Sequence, residues 1–175
     1  MNGEIEKIRI YGDPVLRRKA EPVEDFNAEL RDLADGLVDS MYANRSGIGL
    51  AAPQIGVSKR VLVIDRSFGE EFDNILVMVN PEIVEADGET SFEEGCLSVP
   101  GIFEPVSRPV RILARYRDVD GVLREIESDD FLARVIQHET DHLDGILFVD
   151  RLGTIKRKLL KKQLRVLARE GAYGT

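Results

Sequence analysis

Apolar residues recur along the chain with different spacings, which predict helices in some segments and strands in others. Leu30, Leu33, Leu37 and Met41 are separated by three or four residues. This spacing places all four on one face of a helix, which we predict over residues 26–44. The apolar face of such a helix is expected to pack against the core, with the polar residues facing solvent.

Two further helices are predicted in the second half of the chain. Asp129 or Asp130 can cap a helix over residues 131–143, because an aspartate side chain accepts hydrogen bonds from the free N–H groups at a helix start. The last helix is predicted over residues 155–169. The residues on its apolar side are Leu160, Leu164 and Leu167.

Segments rich in β-branched and other apolar residues predict four strands. They comprise residues 60–65, 75–79, 110–116 and 122–126. The pair Asn80-Pro81 is expected to stop the second strand. Asp120-Gly121 separates the last two strands and predicts a hairpin, because these residues accept the positive φ of a tight turn. Strands and helices do not alternate regularly, which favours an α+β fold.

The composition indicates one folded domain over residues 1–175. The chain is 43% hydrophobic, which is enough to bury a core without disulfides or structural metals. No apolar run approaches the ~18 residues of a membrane-spanning helix. The N-terminal residues lack the basic and apolar regions of a signal peptide, and the single cysteine cannot form an internal disulfide. We therefore expect a cytoplasmic protein.

Charge is distributed unevenly between the end of the chain and the rest. Residues 151–175 contain eight basic residues and one acidic residue, so they carry +7, whereas the other 150 residues carry −15. One interpretation is a solvated amphipathic helix whose cations balance the acidic remainder. The other is a surface for an anionic partner.

Both histidines of the chain lie in one short segment, His-Glu-Thr-Asp-His at residues 138–142. On a helix, His138 and His142 lie on the same face and can bind one metal ion. Glu139 can then act as general base toward a water that the metal activates. We expect mixed or antiparallel sheets packed around this central helix, and a further helix at the C-terminus.

A catalytic metal of this type needs a third protein ligand and an open position for water. A third histidine six residues after His142 is absent, because Phe148 stands there, and the only downstream glutamate is Glu170 near the C-terminus. The ligand is therefore expected upstream. Cys96 offers a thiolate suited to iron or zinc, although a lone cysteine also suits a small buried apolar position.

A segment of small residues at 47–54, Gly-Ile-Gly-Leu-Ala-Ala-Pro-Gln, lacks the Lys-Ser/Thr ending of a phosphate-binding loop. Gly49 can offer its backbone to an extended peptide that adds a strand to a sheet edge. The amide of Gln54 can stabilise a developing oxyanion. The alternative is a tight turn with a surface glutamine.

Three segments together resemble the peptide deformylase family, whose motifs have the forms G-x-G-L-A-A-x-Q, E-G-C-L-S and Q-H-E-x-D-H. They stand here at residues 47–54, 94–98 and 137–142. Residues 11–17 are also similar to the family's N-terminal segment, and the resemblance covers about residues 5–152. Gly12 occupies a position where proline is common in the family, which we expect only to loosen a turn.

The resemblance implies a hydrolase that removes the formyl group from the N-terminal formylmethionine of new polypeptides and releases formate. It implies one divalent metal ion per chain, natively Fe²⁺, with Zn²⁺, Ni²⁺ or Co²⁺ as other possible occupants. Glu139 would move the proton, while Gln54 and the backbone N–H of Leu97 would hold the oxyanion. The implied metal ligands are Cys96, His138 and His142.

The resemblance also implies residues that contact the substrate or orient the ligands. Phe131 and Val135 share a helix face with His138 and can form a methionine pocket, although packing in the core explains them equally. Arg108 is expected to pair with Glu94 or Asp141 and to orient the ligands, although an exposed position on a strand explains it equally. The implied substrate-binding residues are Ile48, Gly49, Glu94, Gly95, Phe131 and Val135.

The expected partners are the new formyl-Met polypeptide and, through the basic C-terminal helix, ribosomal RNA; the protein is expected to be a monomer. Two other functions remain open. A zinc peptidase would share the His-Glu motif but not Gln54 or the Cys96 segment. A non-catalytic peptide-binding or metal-storage protein would be expected to lack Glu139, Gln54 or a metal ligand, and none is missing.

Overall fold

The computed structural model describes residues 5–44, 47–68 and 74–173. Within these ranges the chain forms three α-helices and seven β-strands. The helices are α1 (Ala28–Ala43), α2 (Phe131–Leu143) and α3 (Thr154–Tyr173). The strands are β1 (Gly49–Ala51), β2 (Val61–Asp65), β3 (Ile75–Asp87), β4 (Thr90–Cys96), β5 (Val99–Arg108), β6 (Arg111–Arg117) and β7 (Leu123–Ser128).

The three predicted helices are all confirmed, and side-chain caps explain where two of them begin. The side chain of Asn27 accepts a hydrogen bond from the Leu30 N–H at the start of α1. Asp130 accepts one from the Leu132 N–H and so caps α2. The last helix extends beyond its predicted range at both ends. Among the described residues, no helix has the length and apolar character needed to span a membrane.

The strands form two antiparallel sheets, which confirms the predicted α+β class. One sheet has five strands in the order β1-β2-β3-β6-β7, and the other consists of β4 and β5. The predicted hairpin joins β6 to β7, and Gly121 in its turn has a φ of +80°. The β4–β5 hairpin was not predicted, because most residues of β4 are polar and exposed.

The predicted end of a strand at Asn80-Pro81 is wrong, because β3 continues to Asp87. The pairing of β3 with β6 shifts between Val79 and Glu82, which marks a β-bulge. A bulge accepts a proline because the ladder hydrogen bonds are interrupted there. Asn80 adopts a φ of +51°, and its side-chain amide exchanges two hydrogen bonds of 2.8 Å with the backbone of Val23.

Helix α2 lies at the centre of the molecule, and ten of its thirteen residues are buried. Strand β2 separates it from α1, because alternate residues of a strand point to opposite faces. Leu62 and Ile64 pack in the cluster that contains Ile136 of α2. Val61 and Val63 pack with the apolar face of α1. The residues of the motif on α2 are thereby held in a rigid, mostly buried setting.

Helix α3 packs through its predicted apolar side and through direct backbone contact. Leu160, Leu164 and Leu167 join the cluster around Phe148. Gly12 has a φ of +112°, and a Cβ there would lie 2.3 Å from the carbonyl oxygen of Ala168. The expectation that Gly12 only loosens a turn is wrong. A proline, whose ring holds φ near −65°, could not adopt this conformation, and the glycine allows the helix to approach closely.

Replacing Gly12 by alanine is expected to lower the free energy of unfolding by about 2 kcal/mol or more, because it adds backbone strain and a clash with α3. Urea unfolding of the parent and the variant measures this difference. Gly153→Ala is the matched control, since a Cβ at Gly153 would meet no atom of the described part of the chain within 4 Å. Equal stability of the two variants would contradict the prediction.

Candidate metal centre and active site

The two histidines of α2 and the single cysteine converge at the end of β4. The ligand atoms of Cys96, His138 and His142 all lie within 4.8 Å of one another. The Sγ atom of Cys96 is 3.3 Å from Nε2 of His142. The i, i+4 spacing on α2 brings the two imidazoles together, and the β4–β5 hairpin brings the thiol to them.

The donor set fits a divalent metal ion. A thiolate with two imidazoles is a ligand set that suits iron, zinc and related ions. Nδ1 of His138 is 2.9 Å from Oε2 of Glu94. Because an ionised carboxylate can only accept, this contact places the proton on Nδ1 and leaves Nε2 of His138 available for a metal.

Glu94 is buried and hydrogen-bonded on all sides by cationic or polar groups. Arg108 donates to it from Nε at 2.6 Å and from Nη2 at 2.9 Å, and Arg134 donates from Nη1 at 2.7 Å. Burial alone would raise the pKa of Glu94, but the hydrogen bonds from His138 and Arg108 outweigh it and hold the pKa well below its usual range. The carboxylate therefore stays ionised and orients His138.

Arg108 contacts both of the acidic residues that were expected as alternatives. Besides Glu94, it reaches Asp141, whose Oδ2 accepts from Nη1 at 2.8 Å. Arg151 also donates to Asp141. Burial would lower the pKa of Arg108, but the hydrogen bond and charge of Glu94 raise it above its usual value. The network thus runs from Arg151 to His138 through three charged side chains, Asp141, Arg108 and Glu94.

Sequence analysis missed Arg134 and Arg151 as members of this network. Arg134 is 6% exposed and also donates to the carbonyl oxygens of Val106 and Thr90. One signal could have identified it. It lies four residues before His138 on α2 and is therefore a charged residue on the face that carries the metal ligand.

Glu139 lies beside the metal donors in a buried position. Its Oε2 atom has no hydrogen-bond partner among the described residues. Burial raises the pKa of Glu139 to about 7, against the opposing effect of the nearby positive charges of His138 and Arg108. Gly49 of β1 lies against this carboxylate, and a Cβ at Gly49 would be 2.6 Å from Oε1. Only a glycine lets the strand approach Glu139 so closely.

The two imidazoles have different electrostatic surroundings. Burial lowers the pKa of His142, and the positive charges of His138 and Arg108 lower it further. Burial acts in the same direction on His138, but hydrogen bonds with Cys96 and Glu94 outweigh it, so that its pKa is raised. A neutral His142 is the form that can bind a metal.

The Gln54 side chain is fixed beside Cys96. Its Oε1 accepts from the Ala51 N–H at 2.9 Å, and its Nε2 donates to Ser98 Oγ at 3.1 Å and lies 3.5 Å from Cys96 Sγ. Gln54 is 2% exposed, so the alternative of a surface glutamine is wrong. Leu97 lies in the turn between β4 and β5 and lines a cavity beside His138 and Glu139.

A cavity of about 530 Å³ opens beside His138 and Glu139. Val135 is 5% exposed and belongs to the core as well as to the cavity wall, whereas Phe131 is 40% exposed and forms part of the rim. Phe103 lies across the cavity, against the backbone of Gly95. All six residues that were expected to bind substrate line this cavity: Ile48, Gly49, Glu94, Gly95, Phe131 and Val135.

Comparisons with known proteins agree with this arrangement. The family model described as polypeptide deformylase matches residues 5–158. A peptide deformylase from Acidobacterium capsulatum is 48% identical over 169 residues, which cover 97% of this chain and 99% of that protein. The crystal structure of a peptide deformylase from Legionella pneumophila is 45% identical, with a TM-score of 0.86 over 97% of this chain and 99% of that one. A Synechococcus elongatus peptide deformylase in complex with actinonin is 38% identical, with a TM-score of 0.85 over 93% of this chain and 90% of that one.

Sequence, fold and the arrangement of the three motifs therefore agree that this chain belongs to the polypeptide deformylase family. Members of this family are hydrolases that release the N-formyl group of new polypeptides as formate.

Proposed function

We propose that this chain removes the formyl group of N-terminal formylmethionine at the site around Cys96. Residues 1–175 would form one catalytic domain. The observation that supports this most directly is the buried carboxylate of Glu139. Among the described residues its Oε2 atom has no hydrogen-bond partner, and Glu139 lines the same cavity as Cys96 and His138. A carboxylate in this position can exchange a proton with a reacting water or amine.

Cys96, His138 and His142 would hold the ion, and Glu94 would keep the His138 ring in the required orientation. We assign Fe²⁺ as the native occupant. Zn²⁺, Ni²⁺ or Co²⁺ can replace it, because this ligand set accepts all four ions. When bound, a divalent ion acidifies water and polarises a carbonyl oxygen.

Glu139 would accept a proton from the water that attacks the formyl carbon and then deliver it to the departing amine. A pKa of about 7 suits both steps, since a group that titrates near neutral pH can accept and release a proton with little free-energy cost. The C–N bond of the formyl amide breaks in this sequence. The products are formate and a free N-terminus.

Gln54 and the backbone N–H of Leu97 would stabilise the negative charge that develops on the formyl oxygen. The hydrogen bonds to Ala51 and Ser98 hold the Gln54 amide in place before substrate arrives. Donors that are already oriented toward the developing charge need no reorganisation during the reaction, which is why such groups contribute strongly to catalysis.

The cavity would receive the methionine side chain, between Ile48, Phe131 and Val135. Strand β1 lies at an edge of the five-stranded sheet. An extended peptide can therefore pair with β1 near Gly49 by adding a strand. This placement would bring the formyl group toward Glu139, which contacts Gly49 directly.

We further propose that the protein is a cytoplasmic monomer whose C-terminal helix contacts ribosomal RNA. The leucines of α3 pack against the rest of the chain, so the opposite face is available to a partner. Phosphate groups are the partner that best suits this charge. The exposed cations of α3 are Arg157, Lys158, Lys161, Lys162, Arg165 and Arg169.

The reaction is tested by formate release from formyl-Met-Ala, with protein loaded anaerobically with Fe²⁺ or Ni²⁺. We expect metal-dependent release by the parent, and a rate at least about 100-fold lower in Glu139→Ala with the metal still bound, because the proton acceptor is lost. Glu125→Ala, on the exposed face of β7, is the control and should retain the parental rate. Cleavage of unformylated peptides instead would favour the zinc peptidase.

The raised pKa of Glu139 predicts a pH-dependent difference in stability between the metal-free parent and Glu139→Gln. The pKa is about 7 in the folded chain and near 4.5 when unfolded. Between pH 4.5 and pH 7, Glu139 loses its proton in the unfolded chain but keeps it in the folded chain. The parent therefore loses stability as the pH rises, whereas the variant has no titrating group at this position and does not. Chemical unfolding should show no difference below pH 4.5 and an advantage of up to about 3 kcal/mol for the variant above pH 7. A difference that decreases with rising pH would contradict the assignment.

The proposed RNA contact is tested by replacing Lys161, Lys162 and Arg165 with glutamine. We expect weaker binding to purified ribosomes and a smaller dependence of the affinity on salt, because fewer phosphates are neutralised. Formate release from the free peptide should not change. The matched control removes three exposed arginines of the β6–β7 hairpin, Arg111, Arg115 and Arg124. Parental ribosome binding by the α3 variant would refute the contact.

A further inference from the structure

Phe68 has a backbone conformation that is unusual for a large side chain. It lies three residues beyond the end of β2 and has a φ of +54°. Its N–H donates to the carbonyl oxygen of Asp65 at 3.1 Å, which closes the turn. The left-handed region is unfavourable for bulky residues and persists only where surrounding contacts hold it. A glycine or an asparagine would satisfy the same turn with less strain.

The contact that accompanies this conformation is aromatic. The ring of Phe68 meets Phe131 edge-on, with centroids 5.2 Å apart and planes at 70°. Phe131 meets Phe92 in a similar way, at 5.9 Å and 64°. We call Phe68, Phe92 and Phe131 the aromatic cluster. Its members are 39%, 55% and 40% exposed, so burial in a core does not explain why three phenylalanines meet here.

Phe131 connects the aromatic cluster to the cavity. It is the first residue of α2 and contributes to the cavity wall, one turn before Val135 and two turns before His138. Val135 and His138 are held by the packing and hydrogen bonds of the buried helix, whereas Phe131 lies at the exposed start of the helix. Rings on either side, Phe68 and Phe92, are the neighbours that restrict its rotation.

We infer that Phe68 is a positioning residue that holds the Phe131 ring as the outer wall of the cavity. It thereby determines which side chain the enzyme accepts at the first residue of the substrate. The inference rests on the proposed function, in which this cavity receives the methionine side chain. A fixed aromatic ring favours an unbranched thioether, because sulfur makes favourable contacts with aromatic rings. It also limits the width of the cavity for a substrate whose first side chain contains a ring.

The variant Phe68→Asn separates this role from a purely structural one. Asparagine accepts a positive φ more readily than phenylalanine, so the turn should remain folded while the ring contact with Phe131 is lost. With formyl-Met-Ala, we expect KM to rise by about five-fold and kcat to stay at the parental value, because only substrate binding depends on the wall. The preference for formyl-Met-Ala over formyl-Phe-Ala should fall by a similar factor.

Two further variants complete the experiment on the metal-loaded, full-length protein. Phe68→Tyr keeps the ring edge and should restore the parental KM and preference. Val122→Asn replaces an exposed apolar residue at the distant β6–β7 turn and should change neither quantity. Thermal unfolding of each protein identifies any loss of folding.

Parental KM and parental preference in Phe68→Asn would overturn the inference, as would lower stability with an unchanged preference. A change in kcat alone would also overturn it. If the parent protein released formate from no formylated peptide, the proposed function would fail and this inference with it. Release by the parent with no effect of Phe68→Asn would refute the positioning role alone.

Discussion

The site depends on one buried carboxylate, that of Glu94. Arg108, Arg134 and His138 all contact it, and these residues come from β5 and α2, while Glu94 belongs to β4. Removing one partner would leave a buried charge unpaired, which is strongly unfavourable in a protein interior. The carboxylate therefore joins the β4–β5 hairpin to the central helix. The same contact that unites the two elements also sets the orientation of the His138 ring.

Near this contact lie two buried carboxylates, Glu94 of β4 and Glu139 of α2, which have different surroundings. Glu94 remains ionised because cations surround it, whereas one oxygen of Glu139 has no hydrogen-bond partner within the described ranges and the pKa of Glu139 is near neutral. The two carboxylates thus suit different tasks: the surroundings of Glu94 suit orienting His138, and those of Glu139 suit the proton exchange that we propose for it. Burial is common to both; the difference lies in the hydrogen bonds that each receives.

The sequence was sufficient to predict the helices, four of the seven strands of the described residues and the convergence of Cys96, His138 and His142. Both histidines and the only cysteine lie in short motifs, so few alternatives remained. The pairing of β4 with β5 and the contacts of Arg134 could not be predicted. Arg134 meets Glu94 across 40 residues of sequence, and residue spacing carries no information about such contacts. The continuation of β3 through Pro81 was missed because a bulge depends on its partner strand.

The short length of strand β1 affects how readily copies of the protein can pair at high concentration. An edge strand offers unpaired backbone groups to any extended chain, including a second copy of the same protein, and long edges promote aggregation for this reason. β1 contains only three residues, Gly49–Ala51. An edge of this length can accommodate the first residues of a peptide but offers too few hydrogen bonds for stable pairing between copies. The brevity of the strand thus limits pairing between copies along this edge, while it leaves room for the short peptide that we propose to bind there.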